Sequence, residues 1–455
     1  EAVKFACFAP ENVTDARSNT PPHLKCTDYN SRVLITGRPL GVGAKAQSMN
    51  VIFVEPAFPA NQREFVRALR EVGATVIAIG ERPKEALDGE LQDWLLDYIQ
   101  VSSVCHEAEM IRAVKFVQSK LWVDRLEATV EAHIETTAHV REACTIPGIS
   151  TRTAFLCRDK PAMKDALRAA GVPCAHSLGS DSLEDIRHFA EQVGFPLIVK
   201  PRSGAGASGT HRVDSREQLE QVLAEAYVGR GGQVAVEEFN DGHEAFYDTI
   251  TMGGHVVHDF ISHYFPNVLE AMRQRWISPQ FICTNRIDST GEYQQVREMG
   301  RRVIDALQIG TAATHMEWFF GRNGLRFSEI GCRPPGVRAW DLYNVANDID
   351  LYREWASGIV HGRPQRSLSR RFSAGIIALR PDHDGVIAGY EGLSEIENRY
   401  GEWLIDCHLP SAGTPTQPVS AGYMANAWIR MKHPDFDQLR AMLDDVGRTV
   451  KVRAR

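Results

Sequence analysis

From Met49 onward, apolar runs spaced as strands alternate with runs spaced as helices, and this order limits the fold more than any other feature of the chain. MNVIFV reads as a buried strand. In NQREFVRALREVG, Phe65, Leu69 and Val72 fall on one helical face, and Gly73 supplies the stop. ATVIAIG reads as a second strand, WVDRLEA as a third, and EAEMIRAVKFVQS and EAHIETTAHVREA as helices around it. Strands that alternate with helices imply a parallel sheet with helices on its faces.

A second unit begins near Thr151. RDKPAMKDALRAAG has Asp159 in position to cap a helix, Pro161 in its first turn and Gly171 at its end. SLEDIRHFAEQVG opens on a Ser-x-x-Asp box and stops at Gly194. Beyond Arg370, SAGIIAL and GYMANAWIRM read as strands and FDQLRAMLDDVG as a helix. The whole is an α/β (α+β) multidomain chain, and 455 residues leave room for two to four domains at roughly 100–200 residues each. The net charge of −7 argues against a nucleic-acid or anionic-membrane partner. The nine cysteines contain no C-x-x-C, which fits a reducing compartment. No apolar run reaches the ~18 residues of a membrane span, and the opening residues lack an apolar signal core. A cytoplasmic protein is expected.

The stretch FPLIVKPRSGAGASGTHRV spells G-x-G-x-x-G at Gly204, Gly206 and Gly209. A dinucleotide site would need those glycines to open a helix. Here THRV follows instead, and the next helix starts only after Ser215, with Gln218 completing a capping box. The order is therefore strand, glycine loop, strand: a flap of the kind that covers ATP phosphates. Its glycines admit backbone N–H groups close to phosphate oxygens, with Ser203 and Ser208 as extra donors. Lys200 ends the entering strand, where a mobile point charge suits phosphate. Lys160, at the start of its helix, fits phosphate or plain solvation equally well.

LRFSEIGCRPPG reads as a strand that places Glu329 on the face of Leu325 and Phe327. With HMEWFFG before it, the segment forms a hairpin about RNG. An Asn-Gly turn pairing 322 with 325 would put Glu317 and Glu329 on opposite faces. A three-residue loop, Arg322-Asn323-Gly324, pairs 321 with 325 and sets Glu317 across from Glu329, with His315 on the same face. Two carboxylates so placed at ~5 Å repel by about 3 kcal/mol at an effective dielectric of ~20. A protonated acid, an intervening arginine or a bridging divalent cation would relieve this. Oxygen ligands without clustered Cys or His favour Mg2+ or Mn2+. Arg333, four residues on, could reach the far side of the same site and stabilise a transferring phosphoryl group.

Taken together, RDKPAMK, FPLIVKPRSGAGASGT, VAVEEFNDGHE and HMEWFF…LRFSEIGCRPPG resemble the ATP-grasp superfamily of carboxylate–amine ligases over residues 49–365. Residues 1–48 are poorly patterned and read as an N-terminal extension, and the resemblance implies a parallel α/β pre-ATP-grasp domain (49–155) and an ATP-grasp domain (156–365, its flap subdomain about 156–235). A small C-terminal α+β subdomain (366–455) would follow. It implies that Lys160 and Lys200 contact ATP, and that Glu237, Glu238 and Phe239 form the adenine hinge through backbone groups. Glu244 would bind the ribose, Glu317 and Glu329 would hold two magnesium ions, and Arg333 would serve the acyl-phosphate step. Gly331 stands where D-alanine–D-alanine ligase and biotin carboxylase have a metal-binding Asn, and this departure looks more like the L-amino-acid ligase and carnosine-synthase branch. The implied reaction is ATP-dependent amide or peptide bond formation from a carboxylate and an amine. A purine-pathway or biotin-carboxylase-like enzyme using formate or bicarbonate stays open, as does a non-catalytic ATP-binding protein. His263, His315 and Arg338 are candidates for the substrate side, and a homodimer is the general expectation.

Overall fold

The computed structural model describes residues 48–202, 209–419 and 426–455. The expected extension up to residue 47 and the flap positions Ser203, Gly204, Gly206 and Ser208 lie outside the described residues.

Four parallel strands lie side by side in the order Asp97–Gln100, Thr75–Gly80, Asn50–Val54, Arg125–Glu127. Val51 to Val54 are fully buried, as a strand covered on both faces must be, and this explains their unbroken apolar run. Helix Gln62–Glu71 buries Phe65 and Leu69 and gives way at Gly73, whose φ of +91° suits glycine. WVDRLEA supplies a strand of only three residues. EAHIETTAHVREA starts as a 3-10 turn, Glu131–His133, before the helix Ile134–Ala143.

A four-stranded antiparallel sheet follows, ordered Ser177–Ser180, Val234–Glu238, Leu197–Pro201, His211–Val213. The expected strand–loop–strand is thus present on both sides of the glycine loop. Helices Leu183–Val193 and Arg216–Glu225 cover this sheet, and the hydroxyls of Ser182 and Ser215 cap them. Helix Lys160–Ala169 is capped by Asp159, which accepts from the Ala162 N–H at 3.0 Å.

The third sheet has eight antiparallel strands. From one edge it runs Gly324–Gly331, Ala312–Gly321, His243–Met252, His255–Phe265, Gln280–Cys283, Ser373–Leu379, Ala427–His433, Leu404–His408. Because Gln280–Cys283 pairs with Ser373–Leu379, the sheet continues across the residue 366 boundary expected from the sequence. Among the described residues no helix is long and apolar enough to cross a membrane.

Phe65 fastens the first sheet to the helices that follow the hairpin. Its ring lies 4.9–6.0 Å from those of Phe53, Trp340, Tyr352 and Trp355. Removing a fully buried aromatic ring leaves a cavity that its neighbours fill only in part. Phe65→Ala is expected to destabilise the fold by about 3–5 kcal/mol, read as a lower midpoint in urea denaturation with the slope unchanged.

Candidate active site

The hairpin carrying the paired acids turns differently from either expected form. Gly321 pairs with Gly324, so the loop has two residues, Arg322 and Asn323. That register holds through Trp318 opposite Phe327 and would set Glu317 against Ser328. A bulge then takes Ser328 out of the ladder, and Glu317 comes to face Glu329. The expected acid pair is therefore present, but the bulge creates it and the turn does not. The bulge also overturns the face assigned to Glu329. Phe327, Ile330, Met316 and Trp318 enter one hydrophobic core, while Glu329 joins His315 and Glu317 on the other side of the sheet.

Cations gather on Glu329. Lys160 Nζ is 3.8 Å from its Oε2, and Lys200 Nζ is 3.7 Å away. Lys200 also lies 2.9 Å from Glu237 Oε2, which Lys164 approaches at 2.5 Å from the other direction. Burial alone would raise the Glu237 carboxyl, but the two lysines outweigh it and bring it down to about 2. Burial likewise works against the Lys200 charge, and Glu237 and Glu329 overcome it, so its pKa rises. For Lys164 burial prevails and lowers it to about 8.

Glu317 is held by a buried relay. Tyr343 Oη donates to Asp248 Oδ2, Asp248 Oδ1 is bonded to His315 Nδ1 at 2.7 Å, and His315 Nε2 lies 3.7 Å from Glu317. Burial disfavours the imidazolium, yet Asp248 and Glu317 raise His315 to about 9. That charge, with Lys200 and Arg333, keeps Glu317 low against its own burial. Glu244 behaves in the opposite way. Burial and then Glu317 push it up to about 8, while its carboxylate accepts from the Val268 N–H at 2.7 Å.

On the far rim, Arg333 Nε donates to Glu131 Oε2 at 2.9 Å, and Arg158 approaches the same carboxylate at 3.4 Å. A Cβ at residue 331 would sit 3.0 Å from Glu131 Oε2, so Gly331 leaves room for a carboxylate supplied by the first unit of the chain. Glu131, Arg158, Lys160, His315, Glu329 and Arg333 line one small cleft.

Other expected residues make contacts of their own. His263 is opposite Ala245 in the ladder and packs against Trp318, on the core side of the sheet. It bonds His243 and Tyr293, both at 2.9 Å. The expectation that it lines the substrate side is thus corrected: its position in the ladder turns it away from the acids. Arg338 heads helix Ala339–Asn347 and pairs with Asp341 at 2.6 Å. The Glu238 carboxylate pairs with Arg326 at 2.9 Å and its N–H donates to His176. Phe239 lies under the Arg212 guanidinium, 4.5 Å from the ring centre, and Gly209 has a φ of +68°.

Lys164, Glu131, Arg158 and the Asp248–Tyr343 pair were not singled out from the sequence. Lys164 follows Lys160 by four residues and so shares its helical face. Glu131 lies just past the end of a parallel strand, where crevices open in such sheets. Asp248 is four residues beyond Glu244 on one strand, hence on the same side. Nothing in the sequence points to Tyr343.

Among the described residues no group of three or more His, Cys, Asp and Glu side chains is arranged to chelate a metal by itself. Two facing carboxylates nevertheless fit Mg2+, which takes one or two protein oxygens and completes its shell with phosphate oxygens and water. The compensating lysines contact Glu329, and as cations they attract phosphate.

Residues 159–245 match the family described as carbamoyl-phosphate synthase L chain, ATP binding domain. An L-arginine-specific L-amino acid ligase of Bacillus subtilis is 26% identical over 285 residues, 61% of this chain and 68% of that protein. The crystal structure of an L-amino acid ligase from Bacillus licheniformis has a TM-score of 0.69 at 17% identity, covering 90% of this chain and 100% of the other. N5-carboxyaminoimidazole ribonucleotide synthetase from Thermotoga maritima has a TM-score of 0.61 at 16% identity, covering 90% and 100%. With the lysines, the glycine-loop strands and the acid pair in one arrangement, the chain has the fold of the ATP-grasp ligases and is similar to them in sequence. ATP with Mg2+ is the cofactor set of that family.

The misplaced histidine yields a pH prediction. Burial first, then His243, lowers His263 to about 3. The folded state therefore keeps it neutral while the unfolded chain takes up a proton below about pH 6.5, so stability is lost as pH falls through that window. Between pH 7 and pH 5 this one group accounts for about 2 kcal/mol. His263→Gln is expected to shrink the wild-type difference in unfolding free energy between those two pH values by about that amount, measured by urea denaturation.

Proposed function

We propose that this chain activates a carboxylate with ATP and joins it to an amine, releasing ADP and phosphate. The observation that carries the reading is the facing of Glu317 and Glu329 on one side of the sheet, with Lys160 and Lys200 converging on Glu329. Likeness to the L-arginine-specific L-amino acid ligase supports an amino acid as one substrate.

The carboxylate oxygen attacks the γ-phosphorus, and the bond from that phosphorus to the ADP oxygen breaks. The amine then attacks the acyl carbon, the acyl–phosphate bond breaks, and the amine loses a proton. Lys160 and Lys200 draw the phosphates toward the acid pair as point charges. Glu317 and Glu329 would hold Mg2+, which would supply charge neutralisation to the phosphate oxygens. Lys164 keeps Glu237 occupied, so that Lys200 can turn toward phosphate without leaving a buried carboxylate bare. The Tyr343–Asp248–His315 relay keeps Glu317 ionised and fixed in direction. Arg333, across the cleft, faces the charge that develops on the transferring group. Phe239 and Glu244 follow the strand that carries Glu237, in the order of a nucleotide's base and sugar.

The test is hydroxylamine trapping. The protein is incubated with Mg-ATP, hydroxylamine and a panel of L-amino acids, with formate and bicarbonate included, and hydroxamates and ADP are read by mass spectrometry. An ATP-dependent amino acid hydroxamate is expected. ADP formed only with formate or bicarbonate, or no product with any acid, would overturn the reading. Glu329→Gln is expected to lower ATP turnover by about 10²–10³-fold, and substantial retained turnover would remove the metal role.

A further inference from the structure

We propose that Cys157 and Cys332 form a redox-sensitive thiol pair whose oxidation to a disulfide locks the rim of the cleft. The two sulfurs lie 3.2 Å apart although 175 residues separate them in sequence. Cys157 closes helix Thr151–Leu156, and Cys332 directly follows strand Gly324–Gly331. Both are buried, and both are free thiols. A disulfide has an S–S bond of about 2.05 Å, so closure needs the two sulfurs to approach by about 1 Å.

The place of the pair gives this closure a consequence. Arg158 follows Cys157 and Arg333 follows Cys332, and both guanidiniums meet the carboxylate of Glu131. Cys157 itself lines the cleft, so a small oxidant entering there reaches it first. Drawing the two backbones together re-aims both arginines at once. The consequence for catalysis rests on the reading given under Proposed function, whereas the cross-link does not.

The oxidant is hydrogen peroxide. The sulfur of Cys157 attacks the peroxide O–O bond. An S–O bond forms, the O–O bond breaks, and the thiol proton leaves with the departing oxygen as water. Cys332 then attacks the oxidised sulfur, an S–S bond forms, the S–O bond breaks, and a second water leaves. Two thiols are oxidised, and one peroxide is reduced to two waters. Contact with the Cys332 sulfur, and then burial, hold the Cys157 thiol well above its ordinary pKa. Thiolate is the reacting form, so oxidation is slow at neutral pH and quickens as pH rises.

The full chain is treated with hydrogen peroxide at pH 7 and pH 9, and peptides are mapped without reduction. We expect a link between the Cys157 and Cys332 peptides that forms faster at pH 9. We also expect at least a tenfold fall in hydroxamate formation, restored by dithiothreitol. Cys157→Ala and Cys332→Ala each remove the link and the peroxide sensitivity, and either variant alone serves as the control. Thermal stabilisation by Mg-ADP gives a second readout that needs no turnover. If the wild type makes no hydroxamate, the functional reading fails and the pair is judged by whether the link abolishes Mg-ADP stabilisation. The proposal is overturned if both thiols stay alkylatable under peroxide that oxidises the exposed Cys105. It is equally overturned if the link forms and both readouts are unchanged.

Discussion

Glu317 and Glu329 face one another across adjacent strands, close enough for their charges to repel by about 3 kcal/mol in a partly solvated site. A sheet does not place two acids this way without compensation, and the surrounding residues supply it from three directions. Lys160 comes from a helix, Lys200 from the four-stranded sheet, and His315 from two residues earlier on the same strand as Glu317. Each of these cations is itself anchored or neighboured by other charges, so the compensation extends well beyond the acids. The site is a set of like charges kept in place by cations that phosphate can also attract.

Lys200 is the most consequential of these cations because it touches both sheets. It reaches Glu237 within its own sheet and Glu329 at the edge of the large one. Other contacts follow the same seam. Phe327 N–H donates to Pro173 O at 2.8 Å, and Arg326 pairs with Glu238 at 2.9 Å. The small sheet is therefore docked against the strand that carries Glu329 by backbone bonding and by charge. A ligand that draws Lys200 away from Glu237 acts on the seam between the sheets as well as on the acids. Lys164, fully buried against Glu237, limits the cost of that exchange because the carboxylate keeps one partner.

The chain's alternation of strand and helix spacing made the parallel sheet legible, and the capping residues Asp159, Ser182 and Ser215 marked helix starts that the structure confirms. The acid pair was legible in outcome but not in cause. Strict period-two reasoning put Glu329 among apolar side chains, and only the bulge at Ser328 reverses that assignment. Nothing local in RFSEI distinguishes a bulged strand from a regular one. The amide of Phe327, just before the bulge, is instead taken by Pro173, from a part of the chain more than a hundred residues earlier. His263 illustrates the same limit. Alternation says that its side chain points to one face, but which face is the core depends on register with His243–Met252, which the sequence does not encode locally. Glu131 was hidden for a different reason: its partners are a glycine and two arginines brought together only by packing of the first unit against the hairpin.

Gly331 connects these observations. In relatives with Glu-x-Asn the position would bear a side chain, and here such a chain would begin 3.0 Å from the Glu131 carboxylate. Space that would hold an amide is thus given to an acid from elsewhere in the chain. Glu131 then takes up Arg333 at 2.9 Å and shares Arg158 with Glu135. Arg333 consequently stands near the acids without being bonded to them, restrained by Glu131 and by the Pro334 carbonyl at 2.9 Å. In the proposed reaction an arginine restrained in this way would lend charge to a developing phosphoryl group without collapsing onto Glu317 or Glu329 in its absence. With no side chain at Gly331, the Glu131 carboxylate reaches this rim of the cleft and fixes Arg333 there.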